Sequence, residues 1–153
     1  MLVKNNLDAG VHDAIAEMAW TMLVHINPKV KMMASLTLKY LAIVQGDLVE
    51  DLIGHKILPG LVTLSSDPDP EVRASALIGL AYVTVSSKST SETKEKAAFQ
   101  LISFLALDHE TDSHVQCSSI EAIGFIMSKE NCPHKIRDDL FLPKISDFTR
   151  TIR

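Results

Sequence analysis

The sequence has few aromatic residues, few cysteines and no long apolar run. Aromatic residues make up 5% of the 153 positions although 46% are hydrophobic, so the core must consist of aliphatic side chains and methionine, which is typical of packed helices. Cys117 and Cys132 are the only cysteines, which argues against a disulfide-rich secreted domain. The most apolar run, residues 76–85, has about half the length of a membrane span, and the N-terminus has no apolar signal core. We therefore expect a cytoplasmic protein without membrane insertion.

An excess of charge of one sign is also lacking. The net charge is −4, and the Lys and Arg residues are scattered without an aromatic stacking platform, so we do not expect nucleic-acid binding. The sequence has no phosphate-binding loop, zinc-ligand spacing or catalytic triad motif.

A metal-dependent enzyme is the alternative from another functional class. Its best candidate ligands are His109 and His114, which flank the third turn, with Asp108, Glu110 and Asp112 nearby. Acidic residues before a helix are more simply explained as caps of its free N–H groups. We therefore predict no catalytic site, no metal site and no cofactor.

Apolar residues recur at helical spacing along the whole chain, which predicts an all-α protein. Seven helices are expected over about residues 7–26, 29–45, 48–66, 70–85, 90–107, 114–130 and 134–153. Pro59 should kink the third helix because proline lacks an N–H group and crowds the preceding turn. Ser89 and Glu92 have the spacing of a capping box at the start of the fifth helix.

A helix-start motif recurs three times. The run from Asn27 to Lys31 matches the run from Asp69 to Arg73 in chemical kind except for Lys29 and Glu71, and Tyr40 matches Tyr82. A third version begins at Asp112. Val72 lies 42 residues after Val30, and Val115 lies 43 residues after Val72. Helix pairs at this period are typical of HEAT and armadillo arrays, and an Asp/Pro turn followed by Val-Arg favours HEAT.

The sequence thus predicts a single HEAT-type α-solenoid, a right-handed superhelix of antiparallel helix pairs. About three and a half repeats are expected, over residues 7–46, 47–88 and 89–131, with a half repeat over 133–153. The seventh helix has no partner in the sequence, so we expect the chain to be a piece of a longer solenoid.

Two sets of structural residues follow from the repeat register. The predicted core consists of Val30, Ala34, Leu38, Val72, Ala76, Leu77, Leu80, Val115, Ile120 and Ile123. Arg73, and Lys31 at the equivalent position, resemble the basic residue that in HEAT repeats reaches the turn aspartate of a neighbouring unit. Asp67 and Asp69 are the candidate acidic partners of Arg73, and Gln116 weakens this ladder in the third repeat. Cys117 is interpreted as a small packing residue.

Three stretches resemble a known family. Residues 57–68 read Ile-Leu-Pro-Gly-Leu-Val-Thr-Leu-Ser-Ser-Asp-Pro and are followed by Val72-Arg73, and residues 100–105 and 136–143 keep the family's order. Over about residues 55–145 the chain resembles the C-terminal HEAT region of the LisH-domain and HEAT-repeat-containing (RELCH) family. Residues 1–54 resemble HEAT repeats in general. The linker at residues 86–92 departs from the family, and its LisH and coiled-coil parts are absent.

The resemblance implies a non-catalytic scaffold that binds a Rab GTPase and oxysterol-binding protein. It further implies a tether between recycling endosomes and the trans-Golgi network, peripheral to those membranes, that serves intracellular cholesterol transport. No family binding residue can be carried over to this chain. The alternative within the same fold is a regulatory scaffold of the protein phosphatase 2A type, whose HEAT repeats share the Pro-x-Val-Arg pattern.

Overall fold

The computed structural model describes residues 2–43, 49–105, 110–130 and 132–151, with side chains for 10–43, 51–105, 110–130 and 132–150. Over these residues the chain forms seven helices and no strand. They are α1 (Leu2–Met22), α2 (Pro28–Ile43), α3 (Val49–Leu52, Ile53–Ile57 and Leu58–Ser65 in succession), α4 (Pro70–Val85), α5 (Ser91–Ser103), α6 (Ser113–Met127) and α7 (Lys135–Phe141 continuing into Leu142–Thr151). The all-α prediction is confirmed. The predicted ends of the second and fifth helices, after residues 43 and 105, lie outside the described residues.

The helices pack as consecutive pairs. Helix α1 packs against α2, α3 against α4, and α5 against α6, while α2, α4 and α6 also lie side by side. Because α4 contacts α2, α3, α5 and α6, it is buried over most of its circumference. This arrangement is that of an α-solenoid. The HEAT type and the handedness of the superhelix remain predictions from the sequence.

Two helices contain a π-helical turn just before a Leu-Pro pair. Ile53–Ile57 precedes Leu58-Pro59 in α3, where the sequence predicts a kink, and Lys135–Phe141 precedes Leu142-Pro143 in α7. In a regular α-helix the proline ring would collide with the carbonyl group four residues earlier. A wider turn with bonds five residues apart moves that carbonyl away, so the helix can continue through the proline.

Most of the predicted core is buried. The members that are fully or almost fully buried are Ala34, Leu38, Val72, Ala76, Leu77, Leu80, Val115 and Ile123. Val30 is only half-buried, because it lies in the first repeat and no described helix pair precedes it. The assignment of Ile120 to the core is wrong, since its side chain is 43% exposed. The equivalent residue of α4, Leu77, is covered by the next repeat, whereas no described second helix follows α6.

The cap of α5 differs from the predicted capping box. Thr90, not Ser89, is the N-cap, and its Oγ1 accepts a hydrogen bond from the N–H of Thr93 at 3.2 Å. The hydroxyl group of Ser89 donates instead to the carbonyl oxygen of Val83 at 2.7 Å and is buried. Ser89 therefore closes the linker onto the end of α4.

Candidate protein-binding surface

The three turns between paired helices share one hydrogen-bond pattern. In each turn a side chain accepts a hydrogen bond from the N–H two residues later, and that later residue caps the next helix in the same way. The first bonds join Asn27 N to His25 Nδ1 (3.0 Å), Asp69 N to Asp67 Oδ1 (3.0 Å) and Asp112 N to Glu110 Oε1 (2.9 Å). The capping bonds, each 2.9 Å long, join Lys29 N to Asn27 Oδ1, Glu71 N to Asp69 Oδ1 and His114 N to Asp112 Oδ1.

A basic residue of each of the first two repeats reaches the turn of the next repeat. Lys31 Nζ lies 2.6 Å from Asp67 Oδ2. Arg73 binds Glu110 with two parallel hydrogen bonds, from Nε to Oε2 at 2.8 Å and from Nη2 to Oε1 at 3.0 Å. Arg73 Nη1 also donates to the carbonyl oxygens of Asp67 and Pro68, each at 3.0 Å. These contacts tie each turn to the next.

Two sequence assignments to this ladder need correction. The acidic partner of Arg73 is Glu110 in the following turn, not Asp67 or Asp69 in its own turn, because the Arg73 side chain points towards the next repeat. Asp69 is a helix cap instead of a ladder residue, since its carboxylate accepts from Glu71 N. Gln116, at the position of Arg73, donates from Nε2 to the carbonyl oxygen of Glu110 at 2.5 Å.

Glu110 is the most buried carboxylate among the described residues, at 5% exposure. Burial alone would raise its pKa, but the hydrogen bonds from Arg73 and from the Asp112 N–H stabilise the charged form, so the net pKa is lowered. This carboxylate is therefore held as an anion by Arg73 and serves structure.

The predicted candidate metal ligands are not assembled in the described part of the chain. Asp108 and His109 lie outside the described residues. His114 Nε2 is 3.7 Å from Glu71, Asp112 caps α6, and Glu110 binds Arg73. No group of three His, Cys, Asp or Glu side chains among the described residues could hold a metal ion.

The two cysteines occupy different environments. Cys117 is exposed on α6, so its interpretation as a packing residue is wrong; it lies on the same side of α6 as Ile120, which no described helix covers. Cys132 is buried after the end of α6, and burial raises the pKa of its thiol. A raised pKa keeps this thiol protonated and poorly nucleophilic.

A row of aromatic side chains crosses the second helices of the three repeats. Tyr40, Tyr82 and Phe125 occupy equivalent positions on α2, α4 and α6. The rings of Tyr82 and Phe125 lie 5.1 Å apart between centroids, in a tilted arrangement, a favourable aromatic contact. The repeat motif in the sequence includes Tyr40 and Tyr82 but missed Phe125, which lies 43 residues after Tyr82 and would have been found by that offset.

Two lysines lie on these rings. Lys39 Nζ is 4.8 Å from the ring centroid of Tyr40 and 5.4 Å from that of Tyr82, and Lys129 Nζ is 4.4 Å from that of Phe125. Cation–π contacts at these distances hold the ammonium groups beside the rings. Ile78 lies one helical turn before Tyr82 and is 46% exposed. We call this surface the aromatic face; it consists of Lys39, Tyr40, Ile78, Tyr82, Phe125 and Lys129.

The aromatic face has the composition of a protein-binding surface. Aromatic residues are enriched at such interfaces, and an exposed apolar patch bordered by polar groups often marks one. A family model described as the RAB11-binding protein RELCH C-terminal domain matches residues 4–152. The chain belongs to this RELCH domain family. The family match begins near the N-terminus, whereas the sequence motifs covered only residues 55–145.

RELCH relatives align along nearly the whole chain. The Xenopus tropicalis and Danio rerio proteins, each named RAB11-binding protein RELCH homolog, are 31% identical over 146 residues. The Mus musculus protein, named RAB11-binding protein RELCH, is 28% identical over the same length. These alignments cover 94% of the chain but only 12%, 12% and 11% of the relatives. The name given to these relatives describes binding, not catalysis. No solved structure matches the chain.

No described helix of this RELCH domain is long and apolar enough to cross a membrane.

Proposed function

We propose that this RELCH domain is a non-catalytic protein-binding module that contributes to the binding of a Rab GTPase of the RAB11 type. The family match and the relatives' name, RAB11-binding protein, support the class of partner. The aromatic face supports the place of contact, because it joins three repeats in one surface, in which Tyr40 and Ile78 are exposed and Tyr82 and Phe125 are half-buried. This face is the single observation that carries the proposed site.

The aromatic face has three properties of a binding hot spot. Its rings are large and lose little conformational entropy on binding, since each has only two side-chain torsions. Its rings project from packed helices, so their positions are fixed before the partner arrives. Lys39 and Lys129 add positive charge beside the rings, which favours a partner with acidic groups around an apolar contact and speeds their encounter.

The cellular role we propose follows the family resemblance. The domain would act as part of a cytoplasmic adaptor, peripheral to recycling endosomes and the trans-Golgi network. There it would bring a Rab GTPase together with oxysterol-binding protein for cholesterol transfer. The alternative of a phosphatase 2A-type scaffold rests only on the Pro-Glu-Val-Arg pattern at residues 70–73. The test therefore includes a phosphatase 2A catalytic subunit as a second ligand.

Isothermal titration calorimetry with purified RAB11 tests the proposal. We expect the chain to bind RAB11 loaded with a non-hydrolysable GTP analogue more tightly than RAB11 loaded with GDP. Ile78→Glu should weaken binding at least tenfold, about 1.4 kcal/mol, because it places an unpaired charge in the centre of the aromatic face. Tyr82→Ala should act in the same direction by removing a hot-spot ring.

Ile120→Glu is the matched control. Ile120 is 43% exposed, close to the 46% of Ile78, and also lies on a second helix. It precedes Phe125 by five residues, so it lies about 140° around α6 from the aromatic face. This variant should bind RAB11 like the unmodified chain. No RAB11 binding, or equal loss in both variants, would reject the proposed face. Binding of a phosphatase 2A catalytic subunit in place of RAB11 would favour the alternative scaffold.

A further inference from the structure

The side of the array formed by α1 and α2, away from α3 and α4, is broadly apolar. We call it the first edge and define it by Val11, Met18, His25 and Met33. Val11 and Met18 are each 54% exposed, and Met33 is 53% exposed. Val24 and Ile26 in the turn are exposed as well, but so are their equivalents Ser66 and Pro68 in the second repeat, so these two residues are not counted in the first edge. Exposed apolar side chains on both helices of one edge indicate a contact surface.

Helix α1 has a different character on its other side. There Asp13 and Glu17 both bind Lys56 Nζ of α3, Asp13 at 2.6 Å, and Trp20 Nε1 donates to the carbonyl oxygen of Lys56 at 3.1 Å. The side of α1 that meets the next repeat thus has polar side chains at its rim, and they are paired with Lys56. The opposite side, which carries Val11 and Met18, has no described partner.

The second repeat shows what covers these positions. Ile53, 42 residues after Val11, is fully buried. Gly60, 42 residues after Met18, is buried so closely against the first repeat that a Cβ atom there would lie 2.8 Å from Leu38 Cδ1 and 3.7 Å from Trp20 Nε1. Val11 and Met18 are therefore exposed at positions that are buried in the second repeat, where Gly60 lies directly against the preceding helix pair.

We propose that the first edge docks one further helix pair of the same kind, supplied by polypeptide that precedes the domain in the longer proteins. The matched family is described as a C-terminal domain, and the chain covers only 12% of the Xenopus tropicalis relative. That relative therefore has ample polypeptide ahead of the domain to provide such a pair. Docking would continue the stacking already made between α2, α4 and α6.

The side chains of the first edge determine the chemistry of the docked pair. Gly60 lets the large side chains of Leu38 and Trp20 approach the second repeat. Met18 stands at the equivalent position of the first repeat, so the residues that face it must be small. The same holds for the residues that face Met33, because the later repeats have the small residues Ser75 and Ser118 at its position. The docked helices should therefore present Gly, Ala or Ser to the two methionines.

At this edge His25 offers a hydrogen-bond donor where the other two turns of the ladder have an acceptor. Its equivalents, Asp67 and Glu110, accept hydrogen bonds from Lys31 and Arg73 of the preceding repeats. His25 Nδ1 accepts from Asn27 N at 3.0 Å, so in the neutral ring the proton is on Nε2, which can only donate. The docked pair should therefore carry a carboxylate or amide oxygen at the position where the first two repeats have Lys31 and Arg73.

The test uses the whole chain and, as probe, the roughly 90 residues, about two repeat periods, that immediately precede the matched region of the Xenopus tropicalis relative. The fluorescently labelled probe should bind the chain with one-to-one stoichiometry in an anisotropy titration. Met18→Glu and Met33→Glu should each weaken binding at least tenfold, because each buries an unpaired charge. Both residues are exposed, so the variants should keep the circular dichroism spectrum of the unmodified chain.

Ile78→Glu is the control, since Ile78 is similarly exposed but lies on the aromatic face; it should bind the probe normally. Absence of binding to the unmodified chain, or normal binding by both methionine variants, would overturn the proposal. Sedimentation of the chain alone tests whether a second copy of the chain occupies the first edge instead. A stable dimer that Met18→Glu converts to monomer would assign the edge to a second copy and would also overturn the proposal.

Discussion

Removing the guanidinium group of Arg73 should destabilise the domain more than removing any other described cation. In Arg73→Met the Glu110 carboxylate, 5% exposed, would lose two charge-assisted hydrogen bonds. Two carbonyl oxygens, those of Asp67 and Pro68, would lose their donor as well. Leaving one member of a buried ion pair without its partner costs about 3–5 kcal/mol, and we expect a loss of that size in the free energy of unfolding.

Urea denaturation followed by circular dichroism at pH 7 measures this loss. The double variant Arg73→Met/Glu110→Gln should be more stable than Arg73→Met alone, because a neutral amide costs less to bury than an unpaired carboxylate. Lys96→Met is the matched control. It breaks the pair between Lys96 and Glu92, whose side chains are both mostly exposed, and should change stability least.

The pH dependence gives an independent check. The folded-state pKa of Glu110 is lowered below its ordinary value near 4.5, so its contribution to stability is present above about pH 5 and is lost as the pH falls through the folded pKa. In Arg73→Met the Glu110 carboxyl group stays buried but has lost its counterion, and burial raises its pKa. The difference in stability between the unmodified chain and Arg73→Met should therefore shrink on acidification from pH 7 to about pH 3.5. A difference that is small at pH 7, or that does not change with pH, would refute this account of the ladder.

Two further predictions concern equivalent positions of the second helices. Leu77→Ala should lower the free energy of unfolding by about 2–5 kcal/mol in urea denaturation, because it opens a cavity in a fully buried site. Ile120→Ala, at the equivalent exposed position, should change it by no more than about 0.5 kcal/mol. Equal losses in the two variants would contradict the difference in burial. Ser35→Ala should raise the midpoint of thermal unfolding, since the buried Ser35 hydroxyl has no hydrogen-bond partner among the described residues and its removal relieves a desolvation cost of about 1 kcal/mol; a lowered midpoint would show that the hydroxyl is satisfied.

The predicted helices and most of the predicted core agree with the structure because both depend on local pattern. The start of α4 at Pro70, for example, follows from the capping ability of Asp69 and the fixed torsion of the proline. Leu77 and Leu80 lie on the apolar side of that helix in any all-helical packing. By contrast, the π-helical turn at Ile53–Ile57 had no sequence signal besides the following Pro59, which a simple kink would also accommodate.

The ladder shows where sequence reasoning needed the tertiary structure. The sequence identified Lys31 and Arg73 as equivalent basic residues, but it assigned the partners of Arg73 within the same turn. Which turn an arginine side chain reaches depends on the spacing between stacked repeats, and Glu110 lies 37 residues away in the chain. The number of residues between two positions in the chain does not determine how far apart they lie in the fold.

The sequence by itself determined that this chain is a helical repeat domain of the RELCH family, because helix periodicity, cap chemistry and the recurrence at 42 and 43 residues are all local or additive properties. Only the tertiary structure decided which equivalent residues are covered. Leu77 and Ile120 stand at the same place in the repeat, as do Ile53 and Val11, yet one of each pair is buried and the other exposed. Burial depends on whether a neighbouring helix pair lies against the residue, and the repeat pattern, being the same in each unit, does not specify that.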